Sequence, residues 1–215
     1  MEQKMNKTKL YLIRHGESQA NERDVFLGHT DLDLTARGKL QAQTTANYLK
    51  NFAVDKIYSS DLLRAYHTAK ATADLLQMPI IKDVGLREIY CGAWENQPFA
   101  LLVEQYPNSY GLWMHDIDNA YPDDGESVVE LQNRVIKTIE KIAKENIGKT
   151  VLIFSHATPI RCFVAHCQKM KMKDIPWASN ASVTEIDYEN HSFNLIAYSK
   201  DDFLGDIITV LPDNT

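Results

Sequence analysis

No stretch of this sequence is long and apolar enough to span a membrane as a helix; runs such as Leu10-Tyr11-Leu12-Ile13 have the length of strands. Met1 to Lys9 is polar and basic with no apolar segment behind it, so no secretory leader is expected and a cytoplasmic location is. Cysteine is scarce and odd in number: Cys91, Cys162 and Cys167 cannot make a fully paired disulfide framework, and idle thiols in a reducing compartment are the expectation. There is no excess of basic residues. With 23 Lys and Arg against 29 Asp and Glu the formal charge is -6, and the acidic residues are scattered, which argues against a general nucleic-acid binder. Stretches rich in Pro, Gly or Ser are absent as well, so nothing marks a linker, and no internal repeat divides the chain.

What remains is the composition of an ordinary globular protein, 44% hydrophobic and 24% charged over 215 residues. A chain of this length buries roughly 70% of its unfolded surface and needs no staples. One domain over residues 1–215 is expected. The apolar pattern alternates short strands with helices. Strands are predicted at 10–13, 56–58, 79–81 and 150–154, with a closing hairpin from 182–187 and 192–197 around Glu189-Asn190. Helices are predicted from an N-cap at Thr35 to about 50, with an apolar stripe of Leu40, Ala42, Ala46 and Leu49, and from a cap at Asp61 to about 77. A third runs from Ser127 to about 146, and Thr158-Pro159 is read as cap and first position of a fourth. The fold class is α/β, a three-layer α/β/α sandwich on a mainly parallel sheet with an antiparallel edge strand. Residues 83–124 read as irregular and aromatic, with a short helix near 99–105; Trp94, Phe99, Tyr106, Tyr110, Trp113 and Tyr121 form either a lid or a satellite core.

In an open sheet of this kind ligands bind beyond the carboxyl ends of the strands. Two strands end in histidine there: Arg14-His15-Gly16 after the first and Ser155-His156-Ala157 after the fourth. If these strands are adjacent and parallel, the histidines meet. The helix after His156 adds free N–H groups that favour an anion, Arg14 adds a guanidinium fork suited to phosphate, and Gly16 lets backbone come close. A neutral imidazole can attack phosphorus and hold the phosphoryl group covalently, provided its other nitrogen gives its proton to an acceptor, for which a nearby backbone carbonyl is the candidate. Arg64, in the first turn of a helix at the same sheet edge, is a further cation for a charge-rich transition state. Glu88, between apolar neighbours, is the candidate acid, its pKa raised by burial.

The segments Arg14-His15-Gly16-Glu17-Ser18 with Asn21, Gly28-His29-Thr30-Asp31, Leu34-Thr35-Ala36-Arg37-Gly38, Ser59-Ser60-Asp61-Leu62-Leu63-Arg64, Leu86-Arg87-Glu88 and Ser155-His156 resemble the histidine phosphatase superfamily, the phosphoglycerate mutase-like enzymes. The resemblance covers nearly the whole chain. It implies His15 as the phosphorylated nucleophile, Arg14, Arg64 and His156 as the phosphate pocket, and Glu88 as proton donor and acceptor. It also implies contacts from Asn21, Gly28 at the mouth, a place for Ala157 beside the phosphate, and neither metal nor organic cofactor. Ala157 stands where the family usually has Gly, and Leu27 where many members carry a polar residue. Cofactor-dependent mutases that resemble this pattern carry an insertion between the residues matching Glu88 and His156. The short span here favours hydrolysis of a small phosphorylated metabolite.

Monoester, α-ribazole and sugar-phosphate phosphatases resemble the chain about equally, and a mutase is the alternative. Two further readings are weaker: a zinc site at Cys162 and His166, four apart on one helix, and a non-catalytic phosphate-binding module. A homodimer is compatible with the sequence.

Overall fold

A computed structural model describes residues 7–209. Six strands form one sheet in the order β3-β2-β4-β1-β5-β6: β1 (Thr8–Arg14), β2 (Lys56–Ser59), β3 (Ile80–Lys82), β4 (Thr150–Ser155), β5 (Val183–Glu189) and β6 (Ser192–Lys200). The first four are mutually parallel, whereas β5 runs antiparallel to β1 and β6 antiparallel to β5. The antiparallel edge is therefore a pair of strands, joined through Asn190 and His191, both at positive φ as a tight hairpin turn requires.

Seven α-helices are named here: α1 (Gln19–Glu22), α2 (Ala36–Leu49), α3 (Leu63–Leu76), α4 (Phe99–Gln105), α5 (Ser109–His115), α6 (Val128–Glu145) and α7 (Ala157–Gln168). Side-chain alternation along β1 explains the layers. Tyr11 and Ile13 face one way, into a cluster with Leu49 of α2 and Ala69 and Ala73 of α3. Leu10 and Leu12 face the other way, against Val135 and Ile139 of α6 and Phe163 of α7. The sheet is covered on both sides, which is why β1 and β4 read as continuous apolar runs. No helix among the described residues is long and apolar enough to cross a membrane.

The helix starts at Thr35 and Ser127 form as the sequence predicts, each hydroxyl accepting the N3 amide, with Glu130 completing a capping box at Ser127. Three expectations need correction. Leu40 is 53% exposed, and the inward face of α2 carries Gln41 and Thr45 with Ala42, Ala46 and Leu49, so polar residues share the buried stripe. Asp61 does not cap α3; its two oxygens take the Nε and Nη2 of Arg87, because a guanidinium fork offers a stronger partner than one amide. Thr158 does not cap α7 either, since the helix already starts at Ala157 and His156 occupies the cap position. Helix α5 was not foreseen.

Candidate active site

Parallel pairing of β1 with β4 puts Arg14 in register with Ser155, so the next residues, His15 and His156, emerge side by side. The His15 amide donates to the Ser155 carbonyl at 3.0 Å, and the two imidazole centroids lie 5.1 Å apart. Strand β2 pairs on the other side of β4, bringing Ser60 within 2.9 Å of His156 Nε2. Helix α3 then presents Arg64 from its first turn. Glu88 arrives on the segment after β3, which is pinned by the Asp61–Arg87 pair and by Arg134 of α6 donating to the carbonyls of Gly85, Arg87 and Glu88.

All five sequence-predicted residues of this centre are buried: Arg14, His15, Arg64, Glu88 and His156 each have 7% or less of their surface exposed. The His15 Nδ1 lies 2.7 Å from the Gly16 carbonyl, an acceptor that keeps the proton on Nδ1 and leaves Nε2 unprotonated. The backbone pass at Gly16 is tight; a β-carbon there would stand 2.5 Å from the Gly38 carbonyl oxygen. Burial, reinforced by the charges of Arg64 and Arg14, holds the His15 pKa well below its ordinary value. Burial does the same at His156, again with Arg64 nearby. Both rings are neutral at neutral pH.

The cations are equally unusual. Burial brings the Arg14 guanidinium down to about 10, with Glu88 opposing the shift, and it lowers Arg64. Arg14 is anchored by Nη1 on the Ala178 carbonyl at 2.5 Å, and Arg64 by Nη2 on the Gly28 carbonyl at 2.7 Å and Nη1 on Thr30 at 3.2 Å. Arg14 Nε and His156 Nδ1 are buried without a protein hydrogen-bond partner among the described residues. Burial raises the Glu88 carboxyl, even though Oε1 accepts from Ile89 N–H at 2.9 Å and Oε2 from Thr158 N–H at 3.4 Å, and Arg64 pulls the other way.

These groups open into a cavity of about 640 Å³ lined by Arg14, His15, Asn21, Arg64, Glu88 and Ala157. Its walls are aromatic: Phe26, Phe99, Tyr110, Trp113 and Trp177. Gly28 does not line it. Glycine is required there because a β-carbon would meet Cys91 Sγ at 2.2 Å, and its carbonyl serves by holding Arg64. His156 is fully covered beneath the floor. The aromatic segment is not a satellite core: Trp94 and Tyr110 belong to the main core, while Phe99, Tyr110 and Trp113 line the cavity and Tyr121 is 50% exposed. Cys162 and His166 do not converge, since the thiol is buried against Met172 Sδ at 3.4 Å while His166 is exposed.

Several residues that shape this centre were missed. Glu95 accepts the backbone amides of Gly28, His29 and Thr30, building the loop whose carbonyls hold Arg64. Asn180 donates to the His15 carbonyl at 3.1 Å. Arg161 lines the cavity from α7, and its one visible signal is a charge inside the apolar run Pro159 to Ala165.

Residues 10–201 match the histidine phosphatase superfamily, branch 1. The chain belongs to this superfamily. It is 35% identical over 153 residues to phosphoserine phosphatase 1 of Hydrogenobacter thermophilus, covering 71% of this chain and 72% of that one. A relative from Shigella boydii named "Probable phosphoglycerate mutase GpmB" is 32% identical over 84% of this chain and 85% of its own length. Among solved structures, Bacillus stearothermophilus YhfR superposes with a TM-score of 0.88 at 26% identity, covering 92% of this chain and 99% of that one. This histidine phosphatase superfamily member thus shares its fold with YhfR and its sequence with proteins named a phosphatase and a probable mutase.

Proposed function

We propose that this protein is a metal-independent phosphomonoesterase that hydrolyses small phosphorylated metabolites through a phosphohistidine on His15, and that residues 1–215 act as one cytoplasmic domain. The observation that carries this reading is the state of His15: buried and neutral, with Nδ1 engaged by the Gly16 carbonyl and the ring under the charges of the buried Arg64 and Arg14.

Nε2 attacks phosphorus, an Nε2–P bond forms and the P–O bond to the leaving group breaks. Glu88, whose carboxyl burial pushes above its ordinary value, is the group that gives its proton to the leaving oxygen. Arg14 and Arg64 meet the charge on the equatorial oxygens from the cavity, His156 supports them from beneath it, and Asn21 and the Ala157 amide stand at the rim. Water then attacks, Glu88 takes its proton, and the Nε2–P bond breaks to release phosphate. The aromatic walls suit a small monoester, with Asp24, Arg161 and Lys173 as the charged groups among them.

A mutase reading has one observation in its favour. A relative named a probable phosphoglycerate mutase matches over 85% of its own length, so the short span between Glu88 and His156 carries less weight against this reading. The test is hydrolysis of p-nitrophenyl phosphate and a panel of phosphorylated metabolites, with 3-phosphoglycerate mutase activity assayed in parallel. Wild type hydrolyses and His15→Ala loses at least about four orders of magnitude. Equal inertness of both proteins, or a mutase rate exceeding hydrolysis, contradicts the proposal.

A further inference from the structure

Residues 178–182, the turn that enters β5, hold the end of β1 from the side opposite β4. The Ala178 carbonyl takes Arg14 Nη1 at 2.5 Å, and the Ser182 carbonyl takes the Arg14 amide at 3.2 Å. The His15 carbonyl accepts twice, from Asn180 Nδ2 at 3.1 Å and from the Ala181 amide at 3.1 Å. Ala181 sits at φ 59°, a left-handed conformation that a residue with a side chain rarely adopts. It is held there by that bond and by Thr45 Oγ1, which donates to its carbonyl at 3.1 Å. Asn180 has no exposed surface.

The second contact of Asn180 is with Asn21. Asn21 Oδ1 accepts from the Ser18 amide at 3.0 Å, from Ser18 Oγ at 2.9 Å and from Asn180 Nδ2 at 3.4 Å. A backbone amide can only donate, so the Asn21 atom that faces Ser18 is the oxygen. The orientation of Asn180 follows from this. Reversed, its oxygen would stand against the His15 carbonyl and Asn21 Oδ1, two acceptors with no proton between them. A carboxamide carries oxygen and nitrogen on opposite sides of one carbon, so three donors on the Asn21 oxygen turn its nitrogen away from them. Asn21 Nδ2 has no acceptor among the described residues, and Asn21 lines the same cavity as His15.

We infer that Asn180 is a positioning residue for anion recognition: anchored on the His15 carbonyl, it locks the Asn21 amide so that an N–H donor, not a carbonyl, faces the cavity. The inference rests on the phosphatase reading, in which Asn21 stands at the rim of the phosphoryl site. A donor fixed beforehand needs no reorganisation as charge develops on a phosphoryl oxygen, whereas a reversed amide would set its own oxygen against the anion. Removing the Asn180 side chain leaves the His15 carbonyl its bond from Ala181, so the effect passes through Asn21 and not through the nucleophile.

A double-mutant cycle of wild type, Asn21→Ala, Asn180→Ala and the double variant tests this, read as the inhibition constant of inorganic phosphate against p-nitrophenyl phosphate hydrolysis. Asn180→Ala should weaken phosphate about five- to tenfold in the wild-type background and by less than about twofold in Asn21→Ala. Asn180→Asp, nearly the same shape but unable to donate, should lose at least as much as Asn180→Ala. Equal losses in both backgrounds mean a merely structural role and overturn the inference, as does wild-type phosphate affinity in Asn180→Asp. If neither Asn180 variant folds, amide NMR spectra of wild type decide. Asn21 Nδ2 signals, assigned by their absence in Asn21→Asp, that move on phosphate addition support the inference, and unmoved signals overturn it. If p-nitrophenyl phosphate is hydrolysed and the two losses multiply, the role of Asn180 fails and the phosphatase reading stands. If no ester is hydrolysed, the phosphatase reading fails, and calorimetric titration of the same proteins with phosphate decides Asn180 by the same ratios.

Discussion

The floor and the mouth of the cavity are built by opposite means. The floor is short-range architecture: Arg14, His15 and His156 sit at the ends of two paired strands, and register alone brings them together. The mouth is long-range packing, in which Phe26 stands edge-on to Trp94, Phe99 and Trp113, and Trp113 stacks on Trp177, a residue 64 positions away. The floor holds buried charges that cost stability and gain reactivity. The mouth holds aromatic area that stabilises the fold and can only select among leaving groups. Substitutions in the floor should therefore strike rate, and substitutions in the mouth should strike stability or substrate preference.

The largest effect that would sharpen this contrast is at Arg64. Arg64→Met removes a cation aimed at the transferring group and should lower kcat/KM for every monoester by about 10²- to 10³-fold, measured by phosphate release. A loss confined to some substrates would move Arg64 from the floor to the mouth.

At Glu88 the leaving group decides the size of the effect. Glu88→Gln should slow hydrolysis of an alkyl phosphate by about 10²-fold or more, and of p-nitrophenyl phosphate at least about tenfold less, since that phenolate departs without a proton. The same residue gives a stability test with a definite sign. Burial raises the folded-state pKa above 4.5, so the native protein binds the proton more tightly than the unfolded chain does. The stability this lends is complete below the unfolded value and is lost as pH rises through the folded one. Glu88→Gln should therefore gain on wild type in thermal melts as pH is raised from acid to neutral. A pH-independent difference would mean that the carboxyl is not strained by burial.

The smallest effect belongs to the mouth. Trp113→Ala should change KM by several-fold in a substrate-dependent way and leave kcat for p-nitrophenyl phosphate nearly intact, because Trp113 reaches the cavity wall and not the floor. A uniform fall in kcat across substrates would erase the distinction.

The same division explains what was legible in the sequence. Arg14, His15 and His156 were readable because each sits beside the strand that places it, and strand ends are visible as the end of an apolar run. Glu88 and Arg64 were readable from local apolar context and the helix start. The supporting layer was not. Glu95 acts through amides 65 to 67 residues away, Arg134 through carbonyls 46 to 49 residues away, and no local pattern announces either. Asp61 misled because a carboxylate before a helix looks like a cap until a guanidinium is found to outcompete the amide. Gly28 was placed correctly in the neighbourhood but on the wrong side of Arg64, since a glycine marks close approach without saying to what.

The central claim is that a phosphoryl group passes through His15. Mixing enzyme with a monoester, quenching in alkali and mapping the modified peptide by mass spectrometry tests it directly. The account predicts one phosphoryl group on the peptide carrying His15, stable to base, lost in acid, and absent from His15→Ala. Steady turnover with no phosphorylated peptide, or with the phosphoryl group on another residue, would contradict it.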